Sequence, residues 1–184
     1  QNVSSSGCAP TQQVTTFNDY VFHEVERENV LKSGRTWYGE KFDVQTTYTF
    51  EGERFTFPNI VPTDSVHLEA SLMARNTAAD SEFIISLNNA TSTIEIDRAG
   101  TSSTSSFGRE ESVQLKMTTS SPALNIGFTY DKDEYPAAVG YLDWFAINLR
   151  RELRMARAQM IFRDAQSSGQ GQVAQYLVSN AQSI

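Results

Sequence analysis

The sequence predicts an all-β protein: an antiparallel β-sandwich, jelly-roll-like, with little helix. Three observations lead there. Short runs of period-2 alternation recur along the chain. Polar clusters rich in Ser, Thr, Asn and Asp separate them, the side chains that favour turns over ladders. Seven or more such strands in one chain of 184 residues fit two packed sheets.

Residues 1–13 are polar and read as a flexible N-terminal arm, leaving 14–184 as a single domain. Tyr20-Val-Phe-His23 is the first strand signal. Lys41 to Phe50 places Phe42, Val44, Tyr48 and Phe50 on one alternating face. Phe55-Thr-Phe57 stops at a Pro58-Asn59 turn. Val66, Leu68 and Leu72 are in phase within Ser65–Arg75. Glu82–Leu87 and Thr93–Ile96 flank Asn88-Asn89, a hairpin signal. Gly100–Ser106 is a polar loop. Ser112–Met117 and Leu124–Tyr130 alternate cleanly, and Asp131–Pro136 is an acidic turn. Gly140–Leu149 puts Tyr141, Phe145, Ile147 and Leu149 in phase, with Trp144 on the other side. Arg150–Gln166 is open: its Arg, Glu, Leu, Met and Ala favour helix by propensity, and a strand remains an alternative.

Composition excludes several classes. Hydrophobic residues at 39% and aromatics at 11% suffice for a core without disulfide or metal staples. No run reaches the ~18 apolar residues of a transmembrane helix. A net charge of −7 argues against nucleic acid as the main partner. The single cysteine excludes a disulfide scaffold and a Cys-based zinc cage. Ser and Thr supply 37 residues, in keeping with a bacterial cell-surface or periplasmic protein.

The candidate sites each carry a plain structural reading beside a functional one. Cys8 needs a base such as His23 or His67 to act as a nucleophile, and a polar arm gives no frame for such a pair. Asp131, Asp133 and Glu134 form a weak calcium candidate or a solvated acidic turn. Trp37-Tyr38 is either an aromatic platform for a sugar ring or inter-sheet packing. Arg150, Arg151, Arg154, Arg157 and Arg163 either meet phosphate or an acidic partner, or pair with local carboxylates. No cofactor is expected from any of these patterns.

Two longer segments carry a family resemblance. Glu28-Asn-Val-Leu-Lys-Ser-Gly-Arg-Thr-Trp-Tyr-Gly-Glu-Lys-Phe42 resembles a signature upstream of the peptidase in the type IX secretion sortases, the PorU family. Gly140-Tyr-Leu-Asp-Trp-Phe-Ala-Ile-Asn-Leu-Arg-Arg-Glu-Leu153 resembles a second segment of that family, and Gln159–Asp164 continues it. The motif residues singled out are Arg35, Trp37, Tyr38, Glu40, Asp143, Trp144, Arg150 and Arg151. Ser33-Gly34 reads as a turn, Gly39 as a point of close backbone approach, and Arg35 with Glu40 as an ion pair.

The resemblance implies a surface protein of the Bacteroidetes, related to the gingipain-like C25 cysteine peptidases, that removes C-terminal signal domains from secreted cargo. The family's Cys-His pair lies in a downstream peptidase domain, and no position here matches it. The expectation is therefore a non-catalytic accessory domain excised from a larger protein. It would position the peptidase, or dock cargo signal domains or outer-membrane secretion proteins, on the extracellular face. The rival is a carbohydrate-binding module, with Trp37-Tyr38 as its platform.

Overall fold

Alternation along the chain builds a five-stranded and a four-stranded layer closed over an aromatic core. A computed structural model describes residues 7–30, 35–132 and 134–181. In order, the strands are β1 (Gln12–Val14), β2 (Thr16–Glu24), β3 (Lys41–Phe42), β4 (Thr47–Phe50), β5 (Val66–Arg75) and β6 (Ser81–Leu87). They continue as β7 (Ala90–Ile96), β8 (Arg109–Met117), β9 (Ile126–Asp131), β10 (Val139–Glu152) and β11 (Ala174–Tyr176). The helical content among the described residues is one 3-10 turn, Glu53–Phe55.

The larger sheet has the order β2-β10-β5-β8, with β3 also paired to β10. The smaller sheet has the order β4-β9-β6-β7. All pairings within these two sheets are antiparallel. Successive strands cross between layers in the double Greek-key order of a jelly roll, as the sequence predicts. A small parallel ribbon of β1 and β11 lies outside the sandwich. Its first strand begins at Gln12, inside the stretch read from sequence as an arm.

The core is drawn from the inner faces of both sheets. Leu68, Ala70, Leu72, Phe145 and Ile147 meet Phe83, Ile85, Ile126 and Phe128. The Asn88-Asn89 hairpin forms as expected, with Asn88 at φ 52° and its side-chain Oδ1 accepting from Asn125 N–H at 2.9 Å. Gly140 lies under the core rings, where an added Cβ would sit 2.6 Å from Phe83 Cζ.

Two sequence expectations are corrected, and one open question is answered. The run 41–50 is not one strand: it splits into β3 and β4, and Val44 between them is 99% exposed. Asp43 causes the break, because its side chain holds Lys132 Nζ at 3.0 Å while its N–H donates to Gln45 O. The chain thereby passes from the larger sheet to the smaller one. Second, Tyr141 does not share a face with Phe145, Ile147 and Leu149. A β-bulge between Leu142 and Trp144 inserts Asp143 and reverses the phase. Leu142 joins the core, and Tyr141 packs on the outer face with Tyr38 and Met73. Arg150–Gln166, left open by the sequence, forms no helix. The strand β10 runs to Glu152, and irregular chain follows. Cross-strand pairing with β2 outweighs the local propensity.

Candidate functional site

The two segments that carry the family resemblance lie against each other. Lys41 and Phe42 pair with Tyr141 and Gly140. Gly39 N–H donates to Leu142 O at 2.9 Å, and Leu142 N–H donates to Glu40 O at 2.9 Å. Gly39 is required for this approach, since a Cβ there would lie 2.7 Å from Val25 O. Between β2 and β3 the chain leaves the edge of β10 and returns to it. A bridge between Glu28 and Tyr38 closes the excursion. Ser33-Gly34, the expected turn, lies outside the described residues.

The excursion seats Tyr38 on Tyr141, ring centroids 5.3 Å apart, in a small second cluster with Met73. Tyr38 Oη donates to Glu110. Burial, with the Glu110 hydrogen bond and charge behind it, holds the Tyr38 phenol well above its usual range. Burial and the Glu28 carboxylate push Tyr141 up to about 12. Both phenols therefore stay protonated at neutral pH. Tyr38 is buried, so it is no half of an exposed platform, whereas Trp37 beside it is exposed.

Glu40 points the other way, into a buried pair with His23 at 3.3 Å, and Arg27 approaches it at 3.6 Å. These two stand where the sequence suggested Arg35. His23 is held between Phe50 and Phe145, at 4.6 and 5.0 Å between centroids. Burial alone would raise the Glu40 carboxyl. The hydrogen bond and charge of His23, with Arg27, outweigh burial and hold it below the usual carboxylate range. A depressed carboxylate stabilises the fold above its unfolded pKa, and that contribution is lost as pH falls through the folded value. Glu40→Gln is therefore expected to flatten the acid side of the stability-against-pH curve. Urea melts at stepped pH values measure it; an unchanged acid limb would remove Glu40 as a source.

Asp143, displaced by the bulge, is half-buried beside Ser71. Burial raises its carboxyl, the Ser71 hydrogen bond opposes this, and Glu24, Glu110 and Glu26 raise it further. Trp144 is half-buried on the outer face, 5.8 Å from the Phe22 ring. Asp131 and Glu134 are described, and Asp133 lies outside the described residues. Among the described residues no group of three His, Cys, Asp or Glu side chains is arranged to hold a metal. Cys8 is exposed.

The basic stretch resolves into local pairs. Arg150 reaches Asp164 at 2.9 Å and Asp64 at 3.6 Å, and it donates to Thr16 Oγ1 and Asn18 Oδ1. Arg151 meets Asp19 at 2.6 Å, donates to Pro58 O, and lies over the Phe17 ring. Arg157 pairs with Glu53 on the surface, and Arg163 sits 4.0 Å over Tyr20. Thr16 and Asn18 were not singled out from sequence, and neither Asp64 nor Asp164 was identified as a partner of Arg150. The only available signal was the alternation of β10 continuing past Leu149.

The arrangement holds chain segments together. No family model matches this sequence, and no curated protein matches it. Among solved structures, dimeric latent PorU from Porphyromonas gingivalis overlays 96% of the chain with a TM-score of 0.78 at 19% identity. Two carbohydrate-binding modules overlay more loosely. The CBM36-1 domain of a xylanase from the hindgut metagenome of Trinervitermes trinervoides has a TM-score of 0.42, at 8% identity over 71% of this chain and 95% of its own. The C-terminal CBM6 of LamC from Zobellia galactanivorans has 0.38, at 13% identity over 70% of this chain and 98% of its own. Neither bears on function. The chain has a PorU-related fold and spans 17% of the length of that PorU chain.

Proposed function

We propose that this chain is a non-catalytic accessory domain of a type IX secretion sortase at the bacterial cell surface. Its role is to position a downstream C25-type peptidase, or to dock cargo signal domains or outer-membrane secretion proteins. One observation carries the reading. The two segments resembling the sortase motifs, about a hundred residues apart in sequence, pair through Gly39–Phe42 and Gly140–Leu142 inside a fold shared with PorU. The motif residues Tyr38, Gly39, Glu40 and Tyr141 then serve packing, ion pairing and close approach, the work of a scaffold. No helix of the described chain is long and apolar enough to cross a membrane.

The test is a peptide mass map of the native protein captured with an antibody raised against this chain. The expected product is ~100 kDa or more, from peptidase and further domains of ~100–200 residues each, with C25-type peptides following Ile184. A product of 20.5 kDa would overturn the reading.

A further inference from the structure

The outer face of the larger sheet is a ladder whose rungs the register fixes. One rung carries Tyr20, Asn148, His67 and Lys116. The next carries Phe22, Ala146, Glu69 and Gln114. The third begins with Glu24 and Trp144. A trough of about 670 Å³ crosses the first two rungs, lined by Asn18, His67, Glu69, Gln114, Lys116 and Asn148.

The trough is polar, and an aromatic strip on β2 and β10 that does not line it adjoins it on the same sheet face. On that strip Tyr20 is 51% and Phe22 42% exposed; Arg163 lies over the Tyr20 ring, and Phe22 leans on Trp144. Aromatic rings on the solvent side of a sheet fill no core position, and grouped exposure of this kind marks an interaction surface. On the β5–β8 side the side chains are planar and polar. Gln114 Nε2 donates to Glu69 Oε1 at 3.2 Å, which fixes the orientation of both groups in advance. Exposed Asn148, His67 and Lys116 add donors and acceptors. Among the residues lining the trough the one carboxylate, Glu69, is offset by the one ammonium, Lys116, so the lining itself does not select an ion.

A ligand matching this surface has a C–H face for the rings, hydroxyls for the amides and carboxylate, and no charge. Four strands at ~4.8 Å spacing span about 14 Å, room for about two or three sugar rings. We propose that the trough and the aromatic strip beside it together bind a neutral oligosaccharide, its C–H face on Phe22 and Trp144 and its hydroxyls on Asn148, Glu69 and Gln114. The site is separate from Trp37, and the proposal does not rest on the sortase reading.

The experiment applies the purified chain to an array of neutral β-glucan, xylan and mannan oligosaccharides, followed by calorimetry on the best binder. The expected result is binding with Kd below about 1 mM. Phe22→Ala and Gln114→Ala are each expected to weaken it by roughly tenfold, and Trp37→Ala to leave it unchanged. Thermal melts show whether each variant is folded. If Phe22→Ala does not fold, Gln114→Ala, exposed on β8, decides alone. No binding on the array would overturn the proposal. So would binding that survives Gln114→Ala, or binding that is lost in Trp37→Ala.

Discussion

Arg150→Ala is expected to lower the unfolding free energy by about 3–5 kcal/mol, the cost of leaving one partner of a buried ion pair uncompensated. The Arg150 side chain is 12% exposed and that of Asp164 3%. Truncating the arginine leaves the Asp164 carboxylate buried without its cation and removes the donors to Thr16 and Asn18. The damage has a direction. Asp164 sits in the segment that covers the edge of β2, where Asn18 N–H donates to Arg163 O and Ala165 N–H to Asn18 Oδ1. Amide exchange at Arg163–Ala165 should therefore quicken beyond the global loss. Arg150→Met combined with Asp164→Leu removes both buried charges together and is expected to recover most of the stability, because the one carboxylate left without its cation, Asp64, is solvent-exposed. Urea denaturation decides the case. A loss below about 1 kcal/mol would place Arg150 with exposed pairs such as Arg157–Glu53.

What the sequence made legible follows from what a strand writes into it. Period 2 marks a half-buried strand, so Val66–Arg75 and Leu124–Tyr130 were readable, and Asn88-Asn89 announced its hairpin through turn chemistry. Alternation records only that a side chain faces a core; it does not record which sheet the strand belongs to. The passage from β3 to β4 at Asp43–Thr46 is hidden for that reason. A bulge is hidden too, since one inserted residue leaves no mark in composition. Asp143 therefore moved Tyr141 to the outer face against expectation. The motif residues were identifiable as a set, but their mutual pairing depends on contacts between chain segments far apart in sequence. The same limit concealed Asp64 and Asp164 as the partners of Arg150. The outer trough was illegible for a further reason. Its residues come from β2, β5, β8 and β10, and only the register aligns them.

Phe145→Ala is the second large expected loss, about 3–5 kcal/mol for a phenylalanine removed from a packed core. Its ring is fully buried and meets Phe50 at 4.9 Å, Phe128 at 5.4 Å and Phe55 at 5.9 Å between centroids. It also forms one wall of the His23 site, so the cavity would loosen the Glu40 pair and weaken the acid limb that depends on it. An unchanged urea m-value would show that the loss is one of packing alone. The same variant tests the bulge. If β10 alternated without interruption, Tyr141 and Phe145 would line one core, and alanine at both would couple. With Asp143 inserted they belong to different clusters, about 13 Å apart along the strand and on opposite faces. Their losses should then add within about 0.5 kcal/mol in the double variant. A larger coupling would mean that the two rings share a core, and that the phase of β10 is the one plain alternation implies.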